Sequence, residues 1–288
     1  NTMKSFKKII LGLAILLVIT IIVYFAYSNA TQDISSPKDV ENSKNIELIE
    51  WNTKELFAVF VDPNDIAIID GVKIPLKGTF RLKPELTDTY AEIGVYDKKN
   101  KPLFIIPLFT ASAYSKNGFY DFYNGICDTC LTTKITTIDE LTEQSSANAV
   151  KVLKLLGYDS ITDIELDKNP SILSKYDKVI VLHNEYVTKK MFDVITSHPN
   201  VIYLYPNALY AEISTNYQDG TISLIRGHGY AGSDNGFDWE FDNTRPYEFD
   251  KKCDTWEFYN ITNGKMLNCY PEQKIWKDEK FLKTLKEL

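Results

Sequence analysis

The sequence predicts an α/β protein in which a parallel-sheet domain follows a small antiparallel β domain and an N-terminal transmembrane helix. Three observations carry that prediction. A lysine-flanked, uncharged run fills residues 9–30, and short β-branched and aromatic runs separated by turn residues fill residues 46–131. After Glu140, helical and strand-like patterns alternate, as they do in a parallel sheet covered on both faces.

Lys4, Lys7 and Lys8 precede the apolar run Ile9–Tyr27, so residues 1–30 read as a cytoplasmic stub and single-pass signal anchor. The bulk of the chain is then expected outside the cell membrane, tethered there or released if Ser28-Asn29-Ala30 is a cleavage site; the anchor is the preferred reading. Residues 31–45 are polar and suit a stalk. Residues 46–135 read as a β-rich domain with strands at Leu56–Val61, Ile66–Ile69, Val72–Leu76, Tyr90–Tyr96 and Leu103–Leu108. Phe119-Tyr120-Asp121-Phe122-Tyr123 reads as core or interface packing, with an aromatic binding patch as the alternative.

An outside location shapes the reading of the four cysteines. Cys127 and Cys130 suit a redox pair, half a zinc site or a local disulfide, while Cys253 and Cys269 flank a hairpin through Asn263-Gly264. Two structural disulfides are the default. Asn260-Ile261-Thr262 is a glycosylation sequon. The balance of 32 basic and 39 acidic residues, a net charge of −7, argues against nucleic acid as a partner.

Residues 136–272 form the α/β domain. Ser145-Ser146 opens a helix carrying Ala149, Val152, Leu153 and Leu156 and closed by Gly157, and Ile161–Leu166 reads as a strand. Val179–Leu182 and Val201–Tyr205 are buried strands joined by a helix that Thr188 caps and that buries Met191, Val194 and Ile195. In such a βαβ unit the strand ends share a crevice, so His183-Asn184-Glu185-Tyr186 and Pro206-Asn207-Ala208-Leu209-Tyr210 are expected to meet. A hairpin through Asp219-Gly220 follows. The glycine-rich loop 227–236 lacks the Lys-Ser/Thr ending of a P-loop, which argues against nucleotide binding. Residues 273–288 read as an amphipathic C-terminal helix burying Ile275, Phe281, Leu282 and Leu285.

A strand ending in His183-Asn184-Glu185-Tyr186, a short helix with an apolar Met191, a second strand and then Asn207-Ala208-Leu209-Tyr210 resemble the C-terminal domain of the N,N-dimethylformamidase large-subunit family. The resemblance implies a class I glutamine-amidotransferase-like fold and one iron ion, held by two tyrosines and a glutamate, that activates water against a small amide. Carried onto this chain, the tyrosines are Tyr186 and Tyr210. Glu240, in a Gly-aromatic-Glu segment, is chosen as the third ligand, with Glu248, Glu257 and Glu212 as alternatives. Val187 stands where the family usually has Trp.

The residues admit this chemistry and narrow its competitors. A nucleophilic hydrolase on this fold needs Ser, Cys or Thr on the turn after Val201–Tyr205, and that turn is Pro206-Asn207-Ala208. Tyrosinates and carboxylates suit Fe(III). His183 and Asn184 could orient substrate or water, and Asn207 could donate to an oxyanion. Against this, the tyrosines could be packing residues, Glu185 could pair with Lys189 on the next helix, and His183 could be a hydrogen-bonded core residue. The expectation is therefore a membrane-anchored extracytoplasmic protein, either a divergent metal-dependent amide hydrolase or its silent relative. The alternative is a non-catalytic cell-surface binding or assembly module, with a cell-surface protein as partner and Phe119–Tyr123 or the glycine-rich loop as its working surface.

Overall fold

Five parallel strands and one antiparallel edge strand form the central sheet. In spatial order they are Phe258–Ile261, Gly264–Leu267, Val201–Tyr203, Val179–Val181, Leu103–Ile106 and Asp159–Thr162. This computed structural model describes residues 47–51, 54–69, 72–75 and 77–288; the expected anchor and stalk lie outside them. Residues Leu48–Leu288 pack as one compact unit. Among the described residues no helix is long and apolar enough to cross a membrane.

Alternation along each central strand feeds two cores. Phe104, Ile106, Ile180, Leu182, Ile202 and Leu204 face one way, onto helices Thr87–Ile93, Ala147–Leu155 and Glu279–Glu287. Leu103, Ile105, Val179, Val181, Val201 and Tyr203 face the other, onto helices Asp163–Lys168 and Lys189–Ser197 and a second sheet. That sheet orders Tyr186–Val187, Ala211–Asn216, Thr221–Arg226 and Thr132–Lys134, and its middle pair is the hairpin expected at Asp219-Gly220. The crossover helix starts where Thr188 accepts from the Met191 amide, and it buries Met191 and Ile195.

Several elements differ from expectation, each for a local reason. Tyr90–Tyr96 is not a strand: residues Thr87–Ile93 are helical, burying Tyr90 and Ile93 three apart, with the Tyr90 hydroxyl donating to the Leu56 carbonyl at 2.6 Å. Leu103–Ile106 lies in the middle of the parallel sheet, all four residues buried, rather than in the antiparallel part. The antiparallel part comprises a sheet of Ile49–Trp51, Ala58–Val61 and Thr79–Arg81, with a separate hairpin of Ile66–Ile69 and Val72–Pro75. The strand expected at Ile161–Leu166 stops at Thr162, which forms a capping box with Glu165 and starts a helix. The C-terminal helix begins only at Glu279, where Asp278 accepts from the Phe281 amide.

The cysteines pair as Cys127–Cys130 and Cys253–Cys269. The hairpin between the second pair turns at Thr262-Asn263, so Gly264 is its first paired residue. A Cβ there would lie 1.8 Å from the Val201 carbonyl oxygen, which explains glycine at that crossing of backbones.

Candidate functional site

Sequential strands 103–106 and 159–162 lie to one side of the sheet and 179–181 to the other, so the order reverses between Leu103–Ile106 and Val179–Val181. Ligand crevices in open α/β sheets form at such reversals, outside the strand ends. Here helix Leu108–Ala113 follows the first strand, its Phe109 amide donating to Asp163 at 2.7 Å. It delivers the Thr110 hydroxyl to the Glu185 amide at 3.0 Å. The His183 amide donates to the Ser146 hydroxyl at 3.0 Å. Ser146 thus serves this loop instead of capping its own helix, and it adopts a left-handed backbone. The two strand ends meet: the Leu209 amide donates to Asn184, and those of Tyr210 and Ala211 both donate to Glu185, each at 2.9 Å.

Glu185 is the centre of the site. Its side chain is fully buried, and His228 Nε2 donates to its Oε1 at 2.5 Å. Tyr120 donates to the same oxygen at 3.2 Å, and the Tyr120 and Tyr114 hydroxyls bond to each other. Burial pushes the Glu185 carboxyl up, but the neighbouring His228, the hydrogen bond it gives, His183 and the Tyr114 hydroxyl together hold it below the usual range. Glu185 therefore does not pair with Lys189, whose partner is Asp193.

The glycine-rich loop presents His228. Gly227 and Gly229 take positive φ values, a Cβ on Gly227 would meet Ala211 at 2.8 Å, and His228 itself is left-handed at φ 54. Amides of His228 and Gly229 bond to Asp234 and Ser233 and hold the turn. The imidazole is 20% exposed and spends Nε2 on Glu185. Its Nδ1 has no hydrogen-bond partner among the described residues. It sits in an open pocket of about 560 Å³ walled by Tyr120, Phe122, Tyr123 and Tyr230.

Tyr186 and Tyr210 flank this histidine, with ring centroids 5.8 and 4.6 Å from it. Burial pushes the Tyr186 hydroxyl well up, reinforced by Glu185, and pushes Tyr210 up to about 12. Burial likewise raises Tyr114, Tyr120 and Tyr123, so the ring of tyrosines is neutral at physiological pH. Glu240 lies exposed on its loop; the carboxylate beside Tyr186 is Glu185, while Asp234 and Asp242 act more strongly than Glu185 on Tyr210. Asn207 gives its amide to Glu248 at 3.2 Å, and Asn184 uses its side-chain oxygen on the Leu182 amide. Asn260 is exposed, its side-chain oxygen accepting from Lys265.

Among the described residues, His183 Nε2, Glu185 Oε2 and the hydroxyls of Tyr123 and Tyr186, all buried around Glu185, have no hydrogen-bond partner of normal length, and the two hydroxyls interact at longer range with each other. His183 Nδ1 lies 2.5 Å from the Gln144 carbonyl and therefore carries a proton. Burial, opposed by Glu185, lowers the pKa of His183 and keeps the ring neutral. Its Nε2 lone pair then faces Glu185 Oε2 across 3.6 Å. Two acceptors facing each other call for a cation or a donor between them. Tyr114 has no place in the sequence-based expectation, while Tyr120, Tyr123 and the loop of His228 enter it only as the alternative binding surface, not as catalytic or metal-holding residues. The signals that point to them are a histidine between two glycines and the aromatic run just after the strand at the reversal.

No protein-family model matches the chain, and no curated protein matches it. The fold and site together define a mixed α/β protein with a histidine–carboxylate pair, ringed by tyrosines, at the reversal point of a largely parallel sheet.

Proposed function

We propose that this is a hydrolase of small neutral amides, anchored by residues 1–30 with its site outside the membrane. The observation that carries the reading is the buried Glu185 carboxylate bonded to Nε2 of the partly exposed His228, which lines the pocket. In that arrangement Glu185 fixes the proton on Nε2 and leaves Nδ1 as the base. His228 takes a proton from water as its oxygen bonds to the amide carbon. It then returns that proton to the departing nitrogen as the C–N bond breaks, giving a carboxylic acid and an amine. The neutral hydroxyl of Tyr210 suits donation to the carbonyl oxygen.

The donor set also fits a hard cation such as iron, because the unpartnered atoms are phenol, carboxylate and imidazole. Tyr186, Tyr123, Glu185 and His183 would hold it, with Tyr210 beside them and the exposed Glu240 outside the set. When bound, the ion supplies Lewis acidity to the carbonyl and to water.

The test is amine release from formamide, N-methylformamide, N,N-dimethylformamide and acetamide by the full chain, with and without added iron. Turnover that falls at least a hundredfold in His228→Ala supports the reading. No release above the blank from any amide under either condition overturns it. A second reading, a surface-binding module, draws on Phe122 and Tyr230, whose rings meet edge to face at 5.8 Å at the pocket rim.

A further inference from the structure

A second cavity lies elsewhere on the molecule, and nothing in the proposed hydrolysis uses it. It encloses about 290 Å³, the lower end of the range for small-molecule sites. Trp51, Phe80 and Trp276 supply flat apolar walls, with the Phe80 and Trp276 rings 5.7 Å apart edge to face. Three lysines line it, Lys77, Lys151 and Lys277. Lys151 is held in place by donating to the Gly78 carbonyl at 2.6 Å, and Lys277 stands 4.2 Å above the Trp276 ring.

The two acids in the lining do not cancel that charge. Glu143 pairs with Lys251 at 3.0 Å. Glu272 is 1% exposed, accepts from the Asn148 amide at 2.6 Å and from the Tyr205 hydroxyl at 2.5 Å, and burial pushes it up to about 8, leaving it neutral at physiological pH. A partly buried lysine, Lys151, beside aromatic walls, with the exposed Lys77 and Lys277 at the rim, asks for an anion on a flat apolar body.

We infer that this cavity between Trp51, Phe80 and Trp276 binds a small aromatic carboxylate, its charge met by Lys151 with Lys77 and Lys277, and its ring lying between the aromatic walls. This site is independent of the proposed hydrolysis. Phenylacetate is the probe, titrated calorimetrically into the full chain, with 2-phenylethanol as its uncharged counterpart. The expected result is saturable one-to-one binding, weakened at least tenfold in Lys151→Met and in Trp276→Leu and at least tenfold weaker for 2-phenylethanol. His228→Ala binds phenylacetate as the wild type does, so failure here and failure of the hydrolase reading are told apart. Absence of saturable heat up to ten times the concentration of a typical millimolar ligand overturns the inference. So does wild-type affinity in both cavity variants, or equal affinity for the alcohol, which would show that charge is not recognised.

Discussion

Glu185 and Glu272 are both fully buried carboxyls, and their surroundings push them in opposite directions. Glu185 is held below its ordinary value, so its stabilising effect is present above the unfolded value and lost as pH falls through the folded one. His228→Ala removes its main donor. The cost at pH 7 should be about 2–3 kcal/mol, as for loss of a buried charge-assisted bond. Urea midpoints of wild type and variant should converge as pH falls below about 4.5, the ordinary value, and the carboxylate protonates; a constant gap would mean that His228 is packing alone. Glu272 reverses the sign. Its folded value of about 8 exceeds the ordinary 4.5, so the native state keeps a proton that the unfolded state has lost. That contribution is complete below pH 4.5 and disappears as pH rises toward 8, with a slope of at most about 1.4 kcal/mol per unit. Glu272→Gln should therefore flatten the loss of stability from pH 5 to 8, and an unchanged slope would show that Glu272 does not titrate there.

Elements began and ended where single side chains found backbone partners. Thr162 with Glu165 turned an expected strand into a helix start, and Asp278 delayed the last helix. Thr162→Ala should cost about 1 kcal/mol, the usual value for a cap. Glycine substitutions should separate two kinds of requirement. Gly264→Ala forces a Cβ against the Val201 carbonyl in a central strand and should cost more than about 3 kcal/mol, since only backbone movement relieves it. Gly220→Ala, at φ 63 with open space around it, meets only conformational strain of about 1 kcal/mol. Thermal melts of the two variants check the order; equal losses would mean that the sheet yields at Val201.

At the scale of the whole molecule, the disulfides differ in reach. Cys253–Cys269 spans 16 residues and Cys127–Cys130 only 3. Replacing the first pair with alanines should cost about 3 kcal/mol and the second about 2, from the loop entropy each removes from the unfolded chain. Chemical denaturation of both double variants tests this, and a larger loss for the short pair would point to a role in holding Tyr120 and Tyr123 nearby. The sequence alone determined what is written in local periodicity and in neighbours: the strands at 179 and 201, the helix Thr188 caps, the Asp219-Gly220 hairpin and the meeting of Glu185 with Tyr210 across two strand ends. Tertiary structure decided which carboxylate matters and what faces it. Glu185 and Lys189 are neighbours along the chain, yet the histidine that holds Glu185 stands 43 residues away on a loop of glycines. Tyr120 reaches it from 65 residues upstream. Periodicity reports which face of an element is buried; it carries no record of which distant loop is folded over that face, because that choice is made by long-range packing after the elements exist.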